Sequence, residues 1–232
     1  MKMTYTVLII SIATILLVNA KLFTNRVNIQ IHTNNFVNEL ANYQIFALAV
    51  GILVTIIIQI LIPSSKQFFH IGQLNIIAEK ENWLGINGKS SWMVNGIQLL
   101  FFVSIATGIF MFLAVKNTNS MNNFQWSFIP LILLFSFTNS LAEELIFRFG
   151  IVGGLFHNYP KLTILIISAI FFGLPHYFGW PNGFLGVIMS GMLGYILCKA
   201  TLETKGLSIA WTIHFVQDII IFTALFMMNV KR

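Results

Sequence analysis

Asn139-Ser140-Leu141-Ala142-Glu143-Glu144-Leu145-Ile146-Phe147-Arg148 sets three charged side chains inside an otherwise apolar run. An ionisable group at bilayer depth costs on the order of 3 kcal/mol or more, so it faces a protein interior or a wet cavity and acts there. On a helix, Glu144 and Arg148 lie four residues apart on one face and can neutralise each other. Glu143 points about 100° away around the helix and has no charged partner nearby in sequence. It is the carboxylate suited to take a proton from water, with Glu144 and Arg148 as its support.

The rest of the chain is of the kind that buries such a motif in a membrane. Of 232 residues, 57% are hydrophobic and 9% charged, and mean hydropathy is +0.83. Soluble domains carry roughly 25% charged residues, so this composition cannot build a water-exposed globular surface. It reads as all-α, a polytopic membrane helix bundle of about seven transmembrane helices. The formal charge of +6 reflects topology and contact with lipid headgroups, not nucleic acid. Cys198 is the only cysteine, which excludes an intrachain disulfide and Cys-based metal sites. No linker or fixed-period repeat divides the chain. Residues 1–125 supply N-terminal spans and loops, and 126–232 carry the core of the same single domain.

The first apolar run, 4–18, ends in Val18-Asn19-Ala20, which resembles a signal-peptidase site; an uncleaved first span is expected, since a multispanning protein needs no removable signal. A polar, extramembranous connection follows over 21–42. The second span is expected at 43–62, and 67–92 must then sit in water or at the interface, with Trp83 and Trp92 as interface anchors. The third span is 93–115. The fourth starts near Ser127 and carries the charged motif to Gly153 and Gly154. The fifth, 161–177, should kink at Pro175, which cannot donate to Phe171. After a Gly/Trp/Pro turn the sixth runs over 182–200, where Gly186, Ser190 and Gly194 form a small-residue ridge for close helix approach. The seventh is 207–230. Lys and Arg counted on alternate sides are in excess on the N-terminal side, which places the N-terminus in the cytoplasm. The expected location is a bacterial plasma membrane.

Three further ionisable groups interrupt the apolar spans: His176, His214 and Asp218, the chain's single aspartate. In an antiparallel helical hairpin, residues equidistant from the turn share a depth, and Glu143 and His176 are symmetric about the Tyr159–Pro160 bond, where a turn belongs. His214 and Asp218 are four apart, on one helical face. One pocket could collect all four. Two carboxylates and two imidazoles are the inventory for activating a water or holding a divalent metal. Other intramembrane chemistries fit badly. An aspartyl protease needs two aspartates, His-Glu-x-x-His is absent, and Gly206-Leu207-Ser208 is not followed by glycine. His32, His70 and His157 lie in loops or near span ends and receive no role.

These residues resemble the CAAX-protease and bacteriocin-processing membrane proteins, also called the Abi family, relatives of the Ras-converting CAAX endopeptidase. The resemblance covers roughly 126–218. It rests on two glutamates with an arginine four after the second (Glu143, Glu144, Arg148), on Phe172 with His176 four later, and on His214 with Asp218 four later. It implies an intramembrane endopeptidase in which Glu143, helped by His176, activates water while His214 and Asp218 stabilise the oxyanion. Glu144, Arg148 and Phe172 would be supporting residues. The motifs leave open whether a zinc ion takes part, with Glu143, His176 and His214 able to serve as ligands. The implied partners are membrane lipid and a peptide or protein substrate, with a role in peptide processing or bacteriocin self-immunity. Two positions depart from the family pattern. Phe149 stands where glycine often follows the arginine. Asp218 replaces an amide found in some members, and an ionised carboxylate there would repel an oxyanion, so it must be protonated, bind metal or orient His214. The competing readings are a non-catalytic membrane scaffold or immunity protein, and a transporter, for which no paired broken helices are evident.

Overall fold

Apolar runs that leave no water for backbone groups satisfy them internally, and this chain does so as helices. The structure is a computed structural model that describes residues 2–26, 29–179 and 182–230, without the side chains of residues 2 and 3. Trp180 and Pro181 of the expected turn, and Lys231 and Arg232 of the charge count, lie outside the described residues. In chain order the α-helices are α1 (Lys2–Val18), a short α2 (Lys21–Thr24), α3 (Asn35–Leu61), α4 (Trp92–Asn117), α5 (Ile129–Glu143), α6 (Ile151–Leu155), α7 (Lys161–Gly173), α8 (Gly183–Thr204) and α9 (Ser208–Asn229). Among the described residues no strand forms. Five helices are long and apolar enough to cross a membrane: Asn35–Leu61, Trp92–Asn117, Trp126–Leu155, Gly183–Thr204 and Ser208–Asn229. Thr4–Val18 and Lys161–Tyr177, expected as the first and fifth spans, are apolar helices of shorter length. The chain is a multi-pass membrane protein.

The fourth span is not one α-helix. Between α5 and α6, Glu144–Gly150 is a π-helical segment with all seven residues buried. The span therefore changes register immediately after Glu143. Beyond it, Gly150 lies against α1, where an added Cβ would stand 2.7 Å from Ile10 Cδ1, and Gly154 lies against Thr6. Ile10 and Ala13 of α1 are correspondingly buried. Phe149 is fully buried and meets Phe69 edge-on at 5.7 Å, so the departure from glycine is absorbed by aromatic packing. At Pro175 the α-helix gives way to a 3₁₀ turn, Leu174–Tyr177. Helices α7 and α8 pack closely across small residues: a Cβ at Gly173 would meet Val187 O at 2.7 Å, and one at Gly194 would meet Phe172 Cβ at 2.9 Å.

Three expectations are corrected. Helix α3 starts at Asn35, eight residues before the apolar run, because its polar first turns have partners. Asn34 Oδ1 caps it by accepting from Phe36 N at 2.9 Å. Asn38 Oδ1 accepts from Ile31 N and His32 N, each at 2.9 Å. Trp92 is no interface anchor. It is fully buried, and its Nε1 donates to Glu203 Oε2 at 2.7 Å. Lys199, one of the charges counted on the N-terminal side, is not a free surface charge. It sits inside α8, 1% exposed, with Nζ 2.6 Å from Glu203 Oε1 and 3.8 Å from Glu81 Oε2. Glu203 is the reason for both corrections. It also pairs with Lys161 and accepts from Glu79 N at 2.9 Å, so it draws the 63–91 segment onto the ends of α7 and α8.

Candidate active site

Glu144 and Arg148 are both fully buried, and Arg148 Nη2 lies 3.4 Å from Glu144 Oε1. The guanidinium carbon sits 4.1 Å from the centroid of the Phe172 ring, a cation–π contact that replaces part of its lost hydration. Among the described residues its Nε, Nη1 and Nη2 have no hydrogen-bond partner. Glu144 therefore carries most of the burden of compensating this charge. The same carboxylate oxygen receives His214 Nδ1 at 2.8 Å. A carboxylate can only accept here, so Nδ1 carries a proton and Nε2 is turned the other way.

That second nitrogen faces the two remaining carboxylates. His214 Nε2 stands 3.6 Å from Glu143 Oε2 and 3.7 Å from Asp218 Oδ1. Both distances exceed a direct hydrogen bond. Asn139 ties the same two carboxylates from the opposite side, with Nδ2 donating to Glu143 Oε1 at 3.2 Å and to Asp218 Oδ2 at 3.1 Å. Glu143 Oε2 is buried without a hydrogen-bond partner. His176, on the 3₁₀ turn that Pro175 introduces, donates from Nδ1 to Phe172 O at 2.7 Å. Its Nε2 is thereby left as an acceptor. Phe172 thus contacts three of the site's residues, since its ring also packs edge-on to His214 at 5.4 Å.

Glu143, His176, His214 and Asp218 all line one cavity of about 610 Å³, walled by α4, α8 and α9 side chains such as Phe102, Met189 and Ile221. A second cavity of about 310 Å³ reaches the end of α1 at Leu17 and Val18 and the start of α2 at Lys21. Tyr43, Glu143, Pro175, His176 and Gly179 line both cavities. The expected convergence of Glu143, His176 and His214 on one cavity is thus what the structure has. Among the described residues, no group of three or more His, Cys, Asp and Glu is placed to hold a metal ion.

Residues 125–220, the segment that supplies every one of these motif residues, match the family described as Type II CAAX prenyl endopeptidase Rce1-like. This segment is similar to that family. The match agrees with the resemblance drawn from the three motifs and points to a membrane protease of the CAAX-protease kind. No curated protein and no solved structure matches the chain.

The Rce1-like segment does not build the site alone. Gln44 of α3 is 3% exposed and donates to Asn139 Oδ1 at 3.3 Å, and Tyr43 and Trp83 wall the cavity. Tyr43, Gln44 and Trp83 all lie before the stretch that carries the three motifs. Asn139 could have been found, because it lies four residues before Glu143 and so shares its face. A single amide at position 44 in an apolar run was a weaker signal, and nothing in the sequence links it to Asn139.

Proposed function

We propose that the chain is an endopeptidase that hydrolyses a peptide bond of a membrane-associated peptide or protein with water activated by Glu143. The observation that carries this reading is the place of Glu143 and His176 where two cavities meet, which gives a polypeptide room on both sides of the bond to be cut. Water held between Glu143 Oε2 and His176 Nε2 gives its proton to Glu143 as its oxygen attacks the carbonyl carbon. His214, protonated on both nitrogens and held by Glu144, donates from Nε2 to the resulting oxyanion. Glu143 then passes its proton to the leaving amine as the C–N bond breaks, and the products are an acid and an amine. Asp218 orients His214, its Oδ1 lying 3.7 Å from Nε2, and is itself held by the Asn139 amide on Oδ2. Coordination of zinc by Glu143, His176 and His214 would need these side chains to draw together, and the steps above use only their handling of protons.

Glu143→Gln tests this. It keeps shape and polar contacts but removes the basic oxygen, a contribution of typically ~10²- to 10⁴-fold to rate. At matched membrane abundance the variant should fail to rescue a deletion strain's peptide-processing or bacteriocin-immunity phenotype. Full rescue would reject proteolysis and favour a scaffold that uses the cluster for binding.

A further inference from the structure

Asn139 has an amide whose two ends do different things, and the direction it faces is not free. Its Nδ2 reaches two carboxylates, which can only accept, so its Oδ1 must point back towards α3 and needs a donor there. Gln44 Nε2 supplies that donor at 3.3 Å. This in turn leaves Gln44 Oε1 needing a donor, and the Thr138 hydroxyl stands 3.0 Å away, its single proton shared with the Leu134 and Phe135 carbonyls at 3.0 and 3.2 Å. Thr138, Gln44, Asn139 and the carboxylate pair therefore form one chain of hydrogen bonds with a single sense.

The consequence falls on Glu143. Asn139 occupies Oε1 at 3.2 Å, while Oε2 is buried with no hydrogen-bond partner and faces His214 Nε2 at 3.6 Å. We infer that Gln44 and Asn139 are positioning residues that hold Glu143 by Oε1 and so select Oε2 as the oxygen that takes the proton from water. This rests on the peptidase reading for its function, but the relay itself is a property of the fold. It also gives α3, which lies outside the Rce1-like segment, a part in the site.

Two measurements test it, one of which needs no substrate. Gln44→Met keeps length and volume and removes both hydrogen bonds, and Glu143→Met removes the acceptor at the far end. In a double-mutant cycle on the purified, detergent-solubilised full chain, the two shifts in unfolding midpoint should fail to add by about 2 °C or more, because the relay joins two side chains that act through Asn139. If Gln44→Met does not fold, Thr138→Val stands in for it, with a smaller departure in the same direction. Additive midpoints overturn the relay whatever the protein does to peptides. The second measurement uses internally quenched peptides with an apolar segment in proteoliposomes, chosen as cut by the wild type and not by Glu143→Gln. Gln44→Met should lower kcat about 10- to 100-fold with KM within about twofold, as a misplaced base does. A raised KM with unchanged kcat overturns the positioning role and leaves Gln44 as a wall of the cavity. If no peptide distinguishes wild type from Glu143→Gln, the peptidase reading fails, and the thermal cycle decides the relay by itself.

Discussion

Replacing Arg148 by alanine should unfold much of the protein, and the size of the effect follows from what surrounds the guanidinium. Arg148 and Glu144 are 0% exposed, so removing one leaves the other charge buried without its partner, about 3–5 kcal/mol for a pair of this kind. The contact with Phe172 at 4.1 Å adds up to about 2 kcal/mol for a desolvated cation–π pair. The two terms share one side chain and do not simply sum. About 4 kcal/mol is a large part of the ~5–15 kcal/mol by which folded domains are stable. At about 2–4 °C per kcal/mol for a chain of this size, the unfolding midpoint should drop by roughly 8–16 °C. The assay is thermal unfolding in detergent, followed by loss of the monodisperse peak. A companion variant separates charge from shape. Glu144→Leu with Arg148→Met replaces the pair by apolar groups, which is often neutral or stabilising. It should melt above Arg148→Ala yet remain inactive, because His214 Nδ1 has lost the carboxylate 2.8 Å away. A midpoint for Arg148→Ala within about 2 °C of wild type would refute the argument.

Trp92→Phe should lower the midpoint by about 3–12 °C, since it deletes a hydrogen bond to the Glu203 carboxylate, about 1.5–3 kcal/mol. An unchanged midpoint would show that Glu203 is held well enough by Lys161 and Lys199. Gly154→Ala puts a Cβ against Thr6 and should cost about 1–3 kcal/mol by overpacking. Adding Thr6→Ala removes the two nearest side-chain atoms and should recover part of the loss, whereas no recovery would place the strain elsewhere.

The seven apolar segments were legible because a bilayer permits few solutions and hydropathy reports them directly. Their ends were legible where Pro175 or the 159–160 turn punctuates the chain. The start of α3 was not, since Asn34, Asn38 and Asn42 read as loop residues until the partners that satisfy them are in place. Glu143, His176, His214 and Asp218 stood out as charges in apolar surroundings, and the structure brings them to one cavity. Glu203 and Lys199 did not stand out, because charges near the end of a span are ordinary there. What makes them different is the 63–91 segment folded onto them, and that is tertiary. The same holds for Gln44 and Asn139, which are 95 residues apart.

The seven π-helical residues after Glu143 act as a phase shifter between two tasks. Each residue of an α-helix turns the chain by about 100°, and a π segment is the trace of one residue more than the α register would hold. Before it, Asn139 and Glu143 keep the α spacing that aims both at the cavity. After it, Gly150 and Gly154 keep the α spacing that seats the span on α1. A helical wheel drawn straight through would place these two faces wrongly relative to each other. Removing one residue between Glu144 and Gly150 would let the span close into an uninterrupted α-helix with both faces kept in their present relation, whereas winding all seven residues in α register would turn the glycine face roughly 100° away from α1.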